Sequence, residues 1–397
     1  MIQGYLWFQR HFFIMTGNIA YEFLRRHFIL VPVHPLIWIT AGLIAGVAAY
    51  HTDTRWLLFA AVLAGMGVGA LCVGRYLFFS SVVPVLCVAG GLLLGWLRAG
   101  SQEWLYARAC AAVSGSSCLQ ATIIDRTPAS HRFMKECLTI SDLSVRCDEQ
   151  RQFCFARGRV QIYAARLPKV RIGDTIQLDD IKIKPPKKNG FGTYLMRNGV
   201  VGTLFAPRPD ITIIHRPVWL IWRSIWEKRD AMLRQMKEEL SPQSFALYAA
   251  LFLGNRAVCR AELDRLTPAF QQWGIMHYLA RSGLHLVIFA AVWTFLFRFL
   301  PIPLLLKQLA LVLLAIVYAL LSWTSLSFMR AFAVFLIYQA CGMLRVPFHF
   351  LYSLTLVCFL VVLINPVQVL FLDFQLSFAL TFALGWFNLL RRSERLS

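Results

Sequence analysis

Long apolar runs fill both ends of this chain, and a stretch of two-residue alternation fills its middle. The early runs are "HPLIWITAGLIAGVAAY" from His34, "WLLFAAVLAGMGVGALCV" from Trp56 and "LFFSSVVPVLCVAGGLLLGWL" from Leu77. Each approaches the roughly 20 apolar residues that cross a bilayer. Residues 1–97 therefore read as an N-terminal tail and three transmembrane helices, with Gly65, Gly67 and Gly69 as small residues that allow close helix packing. From 98 to 215 the period becomes two, as in "CLTISDLSV", "GRVQIYAAR" and "GDTIQLDDIKIK", with Pro, Gly and charged turns between. That predicts a small inserted β domain of barrel type. Within it the "PPKKNG" run at Pro185 reads as a basic loop, a solvated turn before a ligand contact.

Residues 216–244 predict an amphipathic helix, with Trp219, Trp222 and Trp226 at helical spacing and Arg223, Lys228, Arg229 and Arg234 on other faces. Such a helix suits the lipid headgroup layer, and packing of the aromatic stripe on the β domain is the alternative. Residues 245–397 carry apolar blocks at Ile275–Leu300, Leu304–Trp323, Phe328–Leu344, Phe350–Ile364 and Val369–Leu390, about five further crossings. Phe245–Gly254 is too short to span. The fold class expected is a polytopic α-helical membrane protein with an inserted small β domain.

Composition agrees, since 58% hydrophobic and 14% aromatic content exceeds what a soluble globule needs. The net charge of +20 adds a second constraint. Arg10, Arg25 and Arg26 precede the first span and argue for a cytoplasmic N-terminus, so three crossings would export the basic β domain. No cleavable signal is recognisable before the first span. An exported basic domain would meet polyanions such as nucleic acid, lipopolysaccharide or lipid headgroups. Among the ten cysteines, Cys147 and Cys154 form a candidate disulfide clasp around "DEQRQF".

The stretch "IMHYLARSGLHLVIF" from Ile275 carries the chemistry. His277, Arg281 and His285 fall at i, i+4 and i+8, a polar stripe in an apolar helix. Charges in spans cost about 2.5 to 3.5 kcal/mol each on insertion scales, which singles out Arg281 and Arg330. Asp373, beside Gln375 and Ser377, is the acidic candidate in the later spans. It either pairs with Arg281 to hold helices together or contacts cargo. No Asp, Glu or Cys completes a metal set beside His277 and His285, so no metal is expected. Ser282 lies in no nucleophile elbow, and Ser282-Gly283 reads as a helix break or close contact, so an enzyme is the least expected class.

"HYLARSGLH" resembles the His-x-Leu-Ala-x-Ser-Gly-x-His signature of the ComEC-type competence proteins, inner-membrane DNA uptake channels. "LFLGNRAVCRAELDRLTPAFQQWGIMH" upstream, then Arg330-Ala331, Asn365-Pro366 and "FQLSF" at Phe374–Phe378 resemble further landmarks in the same order. "NGFGTYLMRNGVVGTL" resembles the end of the family's OB-like domain. The resemblance implies a channel that passes single-stranded DNA across the cytoplasmic membrane in natural transformation, with the OB-like domain outside. It implies a DNA path drawn from His277, Ser282, Gly283, His285, Arg330, Gln375 and Ser377, to which Arg281 and Asp373 are added as candidates for their charge within spans. Lys184, Lys187, Lys188 and Arg197 are the expected DNA-binding basic loop. Expected partners are single-stranded DNA, the bilayer, a DNA receptor, an ATP-driven translocase, a separate nuclease and further copies of the chain.

Arg281, Trp323 and Asp373 depart from the family's usual small or aliphatic residue, Gly and Gly. The chain ends at "RRSERLS" without a His-x-His-x-Asp-His motif, so a shortened member without a metal-dependent nuclease and without cofactors is expected. The competing readings are transport of another polyanion or lipid, and a vestigial structural membrane protein.

Overall fold

The computed structural model describes residues 35–51, 78–128, 134, 136–146, 153–179, 181–187, 189–217, 221–251, 253–254, 260–273, 283–322 and 325–394. These fall into two compact units, one of residues 1–97, 349–363 and 375–397 and one of residues 98–348 and 364–374.

In the first unit, helix α1 (Pro35–His51) packs on the early part of helix α2 (Phe78–Ser114). Gly42 and Gly46 of α1 lie against the backbone of Val88 and Leu92, and Gly91 and Gly95 of α2 lie against Ile39 and Leu43. A Cβ at any of the four would meet a backbone carbonyl, so the helices run backbone against backbone. The four-residue spacing on each partner is the small-xxx-small pattern of close helix pairs. The expected packing glycines, Gly65, Gly67 and Gly69, lie outside the described residues, as does the apolar run from Trp56. The run from Leu77 falls mostly in α2, which continues as one 37-residue helix past residue 97. Elsewhere in this unit Gly385 gives room to Leu351 and Phe350, at 2.7 and 3.0 Å from where its Cβ would stand.

The second unit is built on a mixed seven-stranded sheet. Its strands are β1 (Cys118–Pro128), β2 (Glu136–Arg146), β3 (Cys154–Ala156), β4 (Arg159–Ala164), β5 (Thr175–Asp179), β6 (Val200–Phe205) and β7 (Thr212–His215). The order is β6-β4-β2-β1-β5-β7, with β3 on β2. Pairings are antiparallel except β4 with β6, which is parallel because β5 and a short helix α3 (Gly190–Arg197) intervene in the chain. Alternation sets the inner face: Leu119, Ala121 and Ile123, then Val160, Ile162 and Ala164, are buried while Gln120, Thr122, Gln161 and Tyr163 turn outward. In β2 the buried set changes parity, from Leu138 and Ile140 to Leu143 and Val145. Asp142 makes the change, at φ 53°, where a β-bulge keeps both halves of the strand facing the core. Ala109 and Val113 of α2 join the same core.

Helix α4 (Ile221–Glu239), expected at the headgroup layer with packing on the β domain as the alternative, has described contacts with the sheet. Trp226 packs on the sheet core, while Trp219 lies outside the described residues. Arg223 donates to the Asp174 carboxylate at 2.6 Å, to the Ile172 carbonyl at 2.8 Å and to the Pro217 carbonyl at 2.9 Å. The Asp174 side chain is fully buried and also accepts the Arg171 N–H at 2.9 Å. With both charges so satisfied the pair fixes where α4 leaves the sheet, and losing one partner would cost about 3 kcal/mol.

Helices α5 (Pro242–Leu251) and α6 (Arg260–Gln272) form a small core around Phe245, Ala246, Leu253 and Leu263. Helices α7 (Gly283–Arg298), α8 (Leu304–Leu321) and α9 (Leu326–Leu344) follow, joined by buried Leu286, Ala315 and Phe328. Among the described residues α8 and α9 are long and apolar enough to cross a membrane, and α1, α7 and a further helix α10 (Phe350–Ile364) are apolar but shorter. A 3-10 turn (Pro366–Leu370) then leads to α11 (Leu372–Glu394). The chain is thus largely helical with a mixed sheet domain.

Candidate nucleic-acid interface

The parallel register sets Tyr163 beside Phe205 and Gln161 beside Thr203, and the antiparallel one sets Cys137 beside Tyr163 and Thr139 beside Gln161. Tyr163 and Phe205 consequently stack, with ring centroids 4.9 Å apart and planes 8° from parallel. Tyr163 donates its hydroxyl to Gln161 Oε1 at 3.0 Å, and the Phe205 ring is 48% exposed. A second pair comes from α3, where Phe191 and Tyr194 stack at 6.2 Å with both rings exposed. Burial, then Cys137, then Tyr194 push the Tyr163 phenol up to about 12, so it stays a neutral hydroxyl at physiological pH.

The path from β5 to α3 is held against β6. Lys184 and Thr203 exchange backbone hydrogen bonds of 2.9 and 3.0 Å, leaving the Lys184 side chain exposed. Asn189 caps α3 by accepting the Gly192 N–H at 2.8 Å, and a side chain at Gly192 would collide with the Lys187 carbonyl. Beyond the aromatic pair, the N–H groups of Ala165 and Arg166 donate to the Pro207 carbonyl at 3.1 and 3.3 Å, which brings the exposed Arg166 and Arg208 near the end of the stack. Arg159 is exposed at the other end of β4. The result is an aromatic and amide surface with cationic side chains at its margins. Such a surface can stack bases and hold phosphates.

Arg197 is placed differently from the loop expected of it. It closes α3 with its side chain only 14% exposed, and its guanidinium meets both oxygens of Asp373, at 3.2 and 2.6 Å. It also stacks over the Phe371 ring at 4.4 Å. Asp373 was expected either to face Arg281 in a buried pair or to contact cargo. Arg281 lies outside the described residues, and the Asp373 side chain is 52% exposed in its pair with Arg197. Asn365 completes the join, donating to the Arg197 carbonyl at 2.8 Å and accepting from Gln102 at 3.2 Å, while Arg98 donates to the Ile364 carbonyl at 2.9 Å.

Of the remaining expected site residues, His277, Ser282, Lys188 and Cys147 lie outside the described residues. Gly283 opens α7, and the Ala331 methyl stands 2.7 Å from where its Cβ would be, so the signature glycine and the Arg330-Ala331 landmark meet. His285 and Arg330 are half-buried on α7 and α9. Gln375 is exposed and Ser377 half-buried on α11, in the other compact unit. Lys187 is exposed. Cys154 faces Val145 in the β2–β3 register. Among the described residues no group of His, Cys, Asp and Glu could hold a metal ion.

Sequence reading missed the stack of Tyr163 and Phe205 and the Arg197–Asp373 pair. The outward position of Tyr163 was legible from the alternation of "RVQIYA", but its neighbour on β6 depends on a crossover of some forty residues.

Residues 251–396 match the family model described as Competence protein. ComE operon protein 3 of Bacillus subtilis (strain 168) is 30% identical over 145 residues, which covers 36% of this chain and 18% of that protein. No solved structure matches. Over residues 251–396, where the signature glycine and the Arg-Ala landmark are in contact, the chain is similar to the competence proteins.

Proposed function

We propose that this chain helps to move single-stranded DNA across the cytoplasmic membrane during natural transformation, with the β domain outside gripping the strand. The observation that carries the reading is the stacked Tyr163–Phe205 pair, bordered by Arg159, Arg166, Lys184 and Arg208, in a chain whose later part matches a competence family. Aromatic stacking accepts any base, and cationic margins follow the backbone, which suits a strand of arbitrary sequence. The order β6-β4-β2-β1-β5 with its one parallel pair supports an OB-like reading. OB folds bind oligonucleotides on the face of their second and third strands and the adjoining loops. Here those would be β2, β4 and the segment from Lys182 to Arg197.

The orientation has its own support. Arg298, Lys307 and Arg345 gather at the α7–α8 connection and at the end of α9, the end that the positive-inside rule puts in the cytoplasm. Gly283 and the α8–α9 turn then face outward, where an incoming strand would arrive. In this reading the chain is multi-pass and non-enzymatic, acts through Gly283, His285 and Arg330 along the path, and works with a DNA receptor, a translocase and a nuclease supplied by other proteins.

The test measures labelled DNA entering a nuclease-protected pool in cells with the gene deleted, restored, or restored as Tyr163→Ala/Phe205→Ala at matched protein level. Uptake is expected to fall on deletion, return with the native chain and stay low with the double variant. Unchanged uptake on deletion would overturn the reading and leave transport of another polyanion or a structural role.

A further inference from the structure

We infer that Arg197 is a phosphodiester-binding residue held in reserve, with the Asp373 carboxylate occupying its guanidinium until a polyanion displaces it. The inference rests on the β domain being a strand-binding surface. A carboxylate and a phosphate present the same planar or near-planar pair of oxygens to an arginine fork, and Asp373 fills that fork with both oxygens, at 3.2 and 2.6 Å.

Neither partner depends on the other for its remaining contacts. Arg197 stays ordered through its stacking on Phe371 at 4.4 Å. Asp373 lies in the first turn of α11, where the helix dipole favours a negative charge, and its Oδ1 accepts the Phe374 N–H at 3.0 Å. The carboxylate is also 52% exposed, so water replaces the guanidinium as it withdraws. These are the properties of a contact that exchanges partners, in contrast with Arg223–Asp174, whose carboxylate has no access to solvent.

Position supplies the coupling. Arg197 follows Tyr194 by three residues on an eight-residue helix, so the end of the aromatic surface and the guanidinium belong to one rigid turn. The segment that Arg197 holds, residues 364–374, is otherwise tied by Asn365 to the Arg197 carbonyl and to Gln102, and by Arg98 to Ile364. A strand phosphate that took the guanidinium would release the start of α11 while those ties kept the segment nearby.

The test uses the full chain in lipid nanodiscs with three probes: an oligodeoxythymidylate, inorganic phosphate, and nanodiscs with and without anionic lipid. Native chain, Asp373→Asn, Arg197→Gln and the double variant are compared, with thermal melts to verify folding. Asp373→Asn is expected to tighten oligonucleotide binding by roughly two- to fivefold, the scale of an exposed ion pair. Its dependence on salt should steepen by about 0.7, the increment for one more phosphate contact on a single strand. Both gains should vanish when Arg197→Gln is added. A gain that persists without Arg197 is general electrostatics and overturns the proposal, as does no gain with any probe. A gain confined to anionic lipid or inorganic phosphate keeps Arg197 as the phosphate residue and removes DNA as its source. Failure of the native chain to bind the oligonucleotide at all counts against the DNA reading separately.

Discussion

The β domain and the α7–α9 helices solve the same packing problem in opposite ways. The sheet hides Leu119, Leu138, Ile140, Ile162 and Ile176 completely and turns Thr, Gln and Arg to solvent. Helix α8 buries Leu311 and Ala315 and leaves Leu304, Leu305, Leu309 and Leu313 outside, Leu304 at 71% exposure. So large an exposed apolar surface marks a face that lipid or another protein would cover, and in lipid there is no hydrophobic reason to bury it. The two regions differ in the surface they present, polar on the sheet and apolar on α8, and the proposed membrane reading accounts for the difference by two solvents. Polar pairs such as Arg223–Asp174 help to hold the sheet domain, whereas α7–α9 meet through Leu286, Ala315 and Phe328 and α1 meets α2 backbone against backbone.

The largest effects should come from the interior of the water-facing region. Arg223→Ala takes from buried Asp174 its closest cation, leaving the Arg171 N–H at 2.9 Å and Arg216 at 3.6 Å, and is expected to destabilise the β domain by about 3 kcal/mol, measured by chemical denaturation followed through hydrogen exchange of the β1–β5 amides. Leu138→Ala should cost about 2 to 5 kcal/mol by the same measurement, because its cavity is fully enclosed. Loss of less than about 1 kcal/mol in either variant would contradict the burial described.

A reciprocal pair sharpens the contrast between solvents. Leu313→Lys on the outward face of α8 is expected to cost about 2.5 to 3.5 kcal/mol of membrane insertion, read by the inserted fraction in a translocon assay. Thr139→Lys on the outward face of the sheet should stay within about 0.5 kcal/mol of native stability. Comparable costs would mean that the two surfaces face the same medium. Gly46→Leu then tests the backbone seam. It should separate α1 from α2 at a cost of about 1 to 3 kcal/mol, seen as lost cross-linking between cysteines introduced on the two helices.

The smallest effect is electrostatic. Burial lifts the Cys137 thiol to about 11 and the Tyr163 phenol to about 12, each above its value in an unfolded chain. Both groups fold neutral, so their stabilisation is complete below the unfolded thiol value of about 8.5 and is lost as pH rises through the folded values. The β domain should melt at lower temperature as pH climbs from roughly 9 to 11, and Cys137→Ala should flatten that slope. A melting temperature independent of pH over this range would remove burial as the cause.

These contrasts explain which parts of the molecule could be seen in the sequence. Period-two runs gave β2, β4 and β5, since alternation reports directly which side of a strand meets the core. Gly283 and the Arg330-Ala331 landmark could be selected by motif, although their contact could not. The docking of α4 turned on Asp174, an ordinary-looking turn residue in "RIGDTI" whose burial is set by a helix fifty residues later. Arg197 and Asp373 looked like a loop cation and a span anion because their meeting depends on residues 364–374 folding onto α3, across 176 residues of sequence. Local pattern reports burial well and reports long-range partners poorly.

The measurement that bears most directly on the central claim is the affinity of the full chain in nanodiscs for an oligodeoxythymidylate across a salt series, native against Tyr163→Ala/Phe205→Ala. The native chain should bind with a steep salt dependence, and the double variant should lose roughly five- to 150-fold, the worth of one stacked base, while keeping the slope. Binding of equal strength in both chains would contradict the assignment of the aromatic face as the strand's grip.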